Sequence, residues 1–321
     1  MSIQEKLQSA IQATLPDVSC VIGWGEGPEA LRGAPLFMRT PEDVKSFRAG
    51  YFAVNNPALF LPEYKGSKVA VVVKGCDARS VGQLLAEGLI KREEVTVIGF
   101  PCDGVIDVDK VADALAGRCE PGEVTAAREE GDEVVLAGPA GDIRLKKADV
   151  TADKCGRCQY PNALDADVFV GDKRAPVVSA DDYADLAAFE AMPVEERLAF
   201  WEKEMSRCIR CYACRNACPL CVCREHCIAT SRDPHWLTQS DGVRDKMFFQ
   251  IIHASHLAGR CTGCGECQRA CPVGIPVLLL KRSLSRQVEN LFAYRAGVDV
   301  EGPPPLLTFA MEEPKIKERD W

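Results

Sequence analysis

No stretch of this chain approaches the roughly 18 consecutive apolar residues that a membrane-spanning helix requires. Val69 to Val73 and Ile275 to Leu280 are among its longest apolar runs. Met1 to Ala10 lacks a basic segment followed by an apolar core, which excludes a secretory signal and predicts a cytoplasmic chain whose cysteines stay reduced. Basic charge is also in short supply: 39 lysines and arginines face 47 aspartates and glutamates, for a net charge of −8. A nucleic-acid partner, which needs a basic face, is excluded on that ground. No Ser-His-Asp, H-E-x-x-H or P-loop arrangement occurs, and His235, His253 and His256 show no clustering with carboxylates, so they read as ordinary helix or loop residues.

What the chain has in excess is cysteine, 17 in 321 residues. Eight fall into two identical runs, Cys208, Cys211, Cys214, Cys218-Pro219 and Cys261, Cys264, Cys267, Cys271-Pro272. Each reads C-x2-C-x2-C-x3-C-P, the spacing with which bacterial ferredoxins hold [4Fe-4S] clusters, the fourth cysteine ligating the other cluster. The crossed assignment is therefore Cys208, Cys211, Cys214 and Cys271 for one cluster, and Cys261, Cys264, Cys267 and Cys218 for the other. Zinc sites use separated C-x2-C pairs and disulfides need an oxidising compartment; the runs fit neither. Each oxidised cluster with four thiolates carries roughly −2. Arg207, Arg210, Arg215, Arg224, Arg260 and Arg269 crowd these loops, and local charge balance is the simplest account of them.

Upstream, Ser2 and Glu5 form a capping box for a helix with Ile3, Leu7 and Ile11 on one face, ended by Pro16. A short strand is expected at Val18 to Ile22. Gly23, Gly25 and Gly27 follow it with G-x-G-x-G-P spacing, not G-x-G-x-x-G, and are expected to form a plain turn. Lys68 to Val73 reads as a strand buried on both faces, Ala78 to Ile90 as a helix and Val95 to Phe100 as a second strand, a βαβ unit with parallel strands. The strands end in Lys74-Gly75-Cys76-Asp77 and Phe100-Pro101-Cys102-Asp103. Adjacent parallel strands would put Cys76 and Cys102 at one carboxyl edge, facing each other, where open α/β sheets bind ligands. Asp77 and Asp103 are read as caps.

Short strands are expected at Val124 to Ala127, Val134 to Ala137, Ile143 to Leu145 and Asp167 to Val170, and a helix at Val194 to Met205. The loop Lys154-Cys155-Gly156-Arg157-Cys158 supplies another C-x2-C pair. Cys76, Cys102, Cys155 and Cys158 together make a candidate third [4Fe-4S] site. The alternative is that Cys76 and Cys102 are core cysteines and the pair is half a zinc site. Cys221, Cys223 and Cys227 remain as alternative ligands, as part of a further site completed by His226, or as thiols donating to a cluster. Cys20 and Cys119 read as structural.

The stretch from Val69 to Val108, with its GCDARS and GFPCDG phrases, Lys154 to Cys158, and Asp165 to Asp172 resembles the deazaflavin-coenzyme hydrogenase/dehydrogenase β-subunit family. The segments Cys218-Pro219-Leu220-Cys221-Val222-Cys223 and Cys271-Pro272-Val273-Gly274-Ile275 are similar to the dicluster electron-transfer subunits of archaeal sulfhydrogenase, anaerobic sulfite reductase and heterodisulfide-reductase-associated flavin oxidoreductases. These resemblances imply a subunit of an anaerobic redox complex. Its partners would be a flavoprotein and a hydrogenase, reductase or heterodisulfide-reductase-like module. Members of the β-subunit family bind flavin, FAD or FMN, and reduce the deazaflavin coenzyme; this chain departs from them by placing its cysteine runs after the sheet domain and by lacking a flavin fingerprint.

The expected architecture is an α/β domain with a partly parallel sheet over 1–178, a mostly helical, ferredoxin-like dicluster domain over 179–300, and an extended tail over 301–321. The expected function is an iron-sulfur electron relay. The rival is a flavin-containing dehydrogenase subunit that itself oxidises a nicotinamide or deazaflavin coenzyme.

Overall fold

The valine-rich run forms a strand buried at every residue, Val69–Val73. In a computed structural model that describes residues 1–180, 183–223, 227–229, 237–238, 240–308 and 311, it is the central strand, β3, of a five-stranded mixed sheet. Ahead of it come helix α1 (Ile3–Thr14) and strands β1 (Val21–Glu29) and β2 (Arg32–Met38). After it come α2 (Gly75–Ala86), β4 (Val95–Gly99), α3 (Val108–Leu115), β5 (Ala126–Glu130), β6 (Glu133–Gly138), β7 (Gly141–Lys146), α4 (Lys147–Val150), α5 (Asp153–Gly156) and β8 (Val168–Phe169). The sheet order is β2-β1-β3-β4-β8. Strands β1, β3, β4 and β8 run parallel, with Val69 opposite Val95 and Ile98 opposite Val168, while β2 returns antiparallel. Strands β5 to β7 form a separate antiparallel meander.

The expected βαβ unit is present, but its helix starts at Gly75 and stops at Ala86, before Gly88 turns left-handed at φ +65°. The capping box of Ser2 and Glu5 forms, and Leu7 and Ile11 are buried, whereas Ile3 is 40% exposed. Gly23, Gly25 and Gly27 do not form a turn. They lie inside β1, because the chain needs their missing side chains there: a Cβ at Gly23 would meet the Phe47 ring at 2.9 Å, and one at Gly27 the Arg32 carbonyl oxygen at 1.9 Å.

The second half is helical: α6 (Ala184–Glu190), α7 (Val194–Arg207), α8 (Ala213–Asn216), α9 (Val243–Ser255), α10 (Glu266–Arg269) and α11 (Val277–Phe292). It shares a core with the sheet. Leu220 and Leu257 pack among Ile22, Val71, Val73 and Leu84 on one sheet face, while α1 covers the other. Arg260 pairs with Glu87 at 2.5 Å across the junction, and Ser80 Oγ meets Thr262 Oγ1 at 2.9 Å. No helix among the described residues is long and apolar enough to cross a membrane. Arg224, His226 and His235 lie outside the described residues, as do Asp181, Asp182 and most of the tail beyond Thr308.

Candidate metal centres

The parallel pairing of β3 and β4 carries both chain ends to one sheet edge. Cys76 sits in the first turn of α2 and Cys102 three residues beyond β4. A Cβ on Gly75 would stand 1.7 Å from the Tyr160 carbonyl oxygen, so only glycine lets the loop after Cys158 pass against the start of α2. The backbone N–H of Cys102 donates to the Pro161 carbonyl at 2.8 Å, holding the second strand end against the same loop. Gly104, at φ +118°, packs against Cys155. All four thiols, Cys76, Cys102, Cys155 and Cys158, line one cavity of about 460 Å³, and Cys261 of the second run lines it as well.

The two cysteine runs adopt the same backbone twist. Gly263 and Gly265 have φ of +70° and +77°; the equivalent positions of the first run, Arg210 and Tyr212, have +53° and +61°. Left-handed backbone costs a non-glycine residue about 1–2 kcal/mol, so the first run adopts the loop against local preference. The turn aims backbone N–H groups at sulfur: Arg210 N donates to Cys208 Sγ at 3.4 Å, and Ile275 N to Cys271 Sγ at 3.4 Å. Gln250 Nε2 adds a side-chain donor to Cys214 Sγ at 3.6 Å.

Sulfurs of the two runs pack in one cluster. Cys208 interacts electrostatically with Cys271 and Cys211, and Cys214 with Cys267 and Cys271. Cys218 interacts with Cys264, Cys267 and Cys261, and these four line one small hollow. Among the described residues no three histidine, cysteine or carboxylate side chains close up as a single metal ion demands.

Burial pushes the thiols up: Cys102 to about 12, Cys214 and Cys264 to about 11. Thiols buried this way are poor anions unless positive charge stands beside them, and a metal supplies that charge by deprotonating its thiol ligands outright. Buried cations add more. Lys74 is 1% exposed, pairs with Asp77 at 2.7 Å and lies 4.5 Å over the Trp24 ring. Lys154 donates to the Cys264 carbonyl, bridging the N-terminal thiols and the second run. Lys281 is 2% exposed and lines the hollow of Cys218, Cys261, Cys264 and Cys267. Burial would lower the pKa of Lys281, but Cys267, Cys218, Cys261 and Cys214, as thiolates, raise it. Among the described residues no carboxylate pairs with its ammonium. A buried cation whose neighbours are sulfurs fits an anionic group held in that ring.

Sequence reading missed these lysines, although the charge that closes the run Val277-Leu278-Leu279-Leu280-Lys281 was a visible signal. Asp77 does cap, accepting from Lys74 N at 3.3 Å, whereas Asp103 instead pairs with Arg174 at 2.7 Å. Of the loop arginines within the described residues, Arg207 pairs with Glu204 and Arg269 with Glu266, Arg260 reaches Glu87 across the junction, and Arg210 donates to the carbonyls of Thr238 and Ser240. Cys221, Cys223 and Cys227 gather around Arg215, which donates to the Cys223 carbonyl at 2.7 Å. Cys20 and Cys119 are buried in separate cores.

Residues 66–186 match the family of the coenzyme F420 hydrogenase/dehydrogenase beta-subunit carboxyl terminus, and residues 204–275 match the 4Fe-4S dicluster domain. The chain joins these two domains. It is 24% identical to the F420-dependent formate dehydrogenase subunit beta of Methanocaldococcus jannaschii, with 89% of each chain covered. It is also 24% identical to the F420-dependent formate dehydrogenase 1 subunit beta of Methanococcus maripaludis, covering 90% of this chain and 89% of that one. A chain of the F420-reducing [NiFe] hydrogenase complex from Methanosarcina barkeri overlaps 50% of this chain and 62% of its own length at 17% identity, with a TM-score of 0.39, too low to relate residues.

Proposed function

We propose that this chain is the electron-transferring β subunit of an F420-linked oxidoreductase, carrying electrons through three [4Fe-4S] centres. The observation that carries the reading is contiguity. The Cys76, Cys102, Cys155, Cys158 cavity is lined also by Cys261 of the second run, and Lys154 and Arg79 bridge the two thiol sets. We assign Cys208, Cys211, Cys214 and Cys271 to one ferredoxin-type centre, Cys261, Cys264, Cys267 and Cys218 to the second, and the N-terminal four to the third. Cys221, Cys223 and Cys227 stand beside the first centre. The corresponding units are residues 1–178, 179–300 and a 301–321 tail. When bound, such clusters take up one electron with little rearrangement; the protein contributes burial, N–H donors to sulfur and fixed positive charge.

Cys208 and Cys214 are buried and Cys211 is exposed, so the first centre offers the edge at which a redox partner exchanges electrons. Partners of the expected kind are a flavoprotein and a dehydrogenase or hydrogenase module. Anaerobic purification with associated subunits, followed by iron analysis, tests the reading: about twelve irons per chain are expected for three cubes. About eight would remove the N-terminal centre, and none would overturn the proposal.

One feature favours the flavin-containing rival. The cavity beside Cys76 is also lined by Arg157, Arg174 and Arg295 and by Tyr160 and Tyr294, a mixture suited to an anionic aromatic cofactor such as FAD or FMN. Flavin absorbance that survives gel filtration of the isolated chain would favour it; a colourless supernatant after protein precipitation would count against it.

A further inference from the structure

Lys281 occupies an unusual place. It lies on α11, the helix that follows the second run, and its side chain lines the hollow bounded by Cys218, Cys261, Cys264 and Cys267. It is 2% exposed. Its ammonium stands 3.4 Å from His253 Nε2. That imidazole is itself buried, stacked on Phe249 with ring centroids 5.8 Å apart, and its Nδ1 has no partner among the described residues. Burial, then the charge of Lys281, pushes His253 down to about 2, so the imidazole is neutral and can only accept from the ammonium. Helices α9 and α11 thus bring a cation to the hollow of the four sulfurs and set a neutral ring beside it. Cys214 of the first set also lies near enough to act on its charge.

We propose that the Lys281 ammonium is the fixed charge that raises the reduction potential of the centre held by Cys218, Cys261, Cys264 and Cys267; this rests on the iron-sulfur reading above. Reduction adds one negative charge to that ring. A buried cation in a medium of low dielectric favours the more negative state far more than a surface one does. One electron arrives from a low-potential one-electron donor, and no bond forms or breaks. The step as proposed moves an electron and no proton. The second centre lies between the first run and the N-terminal thiols, so a raised potential there makes it the resting place of the electron in transit. Lys281 is a positioning residue: it holds charge and ligates nothing.

The test is an EPR-monitored redox titration of the full chain, loaded with iron anaerobically, comparing the native protein with Lys281→Met, Lys281→Gln and Lys281→Arg. Expected is native iron content in all four. At the potential where the native centre is half reduced, the Lys281→Met and Lys281→Gln chains should show a reduced-to-oxidised ratio at least about tenfold lower, ~59 mV for a one-electron couple. The Lys281→Arg chain should stay within about twofold of native. An unmoved ratio in both uncharged variants overturns the proposal. So does failure of both to hold iron, since the ammonium would then build the centre instead of tuning it. A native chain without iron or cluster signal overturns the iron-sulfur reading as well, which separates the two failures.

Discussion

The guanidinium of Arg79 donates to the carbonyl oxygen of Thr262 at 2.9 Å. One residue is on the helix that follows the central strand, the other lies between Cys261 and Gly263 of the second cysteine run. The same guanidinium donates to the Ala296 carbonyl at 2.8 Å and stacks 4.8 Å from the Tyr160 ring centre. A single side chain therefore fixes the sheet domain, the cluster loop and the segment after α11 to one another.

Replacing Arg79 by Met strands two carbonyls in the interface. Each unsatisfied buried acceptor costs about 1–3 kcal/mol, so Arg79→Met should lower unfolding stability by about 2–5 kcal/mol. The Arg79→Lys substitution would recover little, because an ammonium lacks the planar fork that reaches both carbonyls at once. Anaerobic guanidinium unfolding followed by tryptophan fluorescence measures it; a loss below about 0.5 kcal/mol, the range of ordinary surface changes, would show that Arg79 does not hold the interface.

Gly297 faces the same junction. Its φ is +66°, and a Cβ there would stand 1.8 Å from the Arg79 carbonyl oxygen. Gly297→Ala combines left-handed strain with a backbone collision and should lower the thermal midpoint by more than about 5 °C. Gly66→Ala, at φ +87° with nothing within 4 Å, incurs only the strain of about 1–2 kcal/mol. Melting curves that rank the two variants the other way would contradict this packing.

Iron counting dissects the cysteines. Cys102→Ala should lose about four irons and leave the signals of the two ferredoxin-type centres unchanged. Cys20→Ala removes a buried thiol that lies in the hydrophobic core and should lose none. Equal iron in native and Cys102→Ala chains would exclude Cys102 as a ligand.

His253 predicts a pH dependence. Its folded pKa of about 2 lies below the ordinary value of 6.5, so between those limits the unfolded chain binds a proton that the folded chain does not. Stability contributed by the neutral ring is complete above pH 6.5 and falls as pH drops, by about 1.4 kcal/mol per unit. His253→Phe keeps the stack on Phe249 and removes this slope. Unfolding at pH 6.5 and 5.5 should then differ less in the variant than in the native chain, and an identical difference would mean that His253 is protonated in the fold.

Elements whose signals are local were legible before any fold was known. The C-x2-C-x2-C-x3-C-P runs, the capping box of Ser2 and Glu5, and the buried strands of the βαβ unit belong here, because ligand spacing and side-chain period are properties of neighbouring residues. The pairing of β3 with β4 then brought Cys76 and Cys102 to one edge as expected. Other features depend on what packs against them in three dimensions. Gly23, Gly25 and Gly27 read as a turn but are strand residues, because Phe47 and the Arg32 backbone close over them. Arg210 and Tyr212 take the left-handed conformation that glycine takes in the second run, which no propensity foretells. Lys281 drew no notice as the charge after an apolar run, and only the packing of α9 and α11 around the thiols made it a buried charge. Local order follows from covalent spacing; the environment of a charge is set by what folds over it.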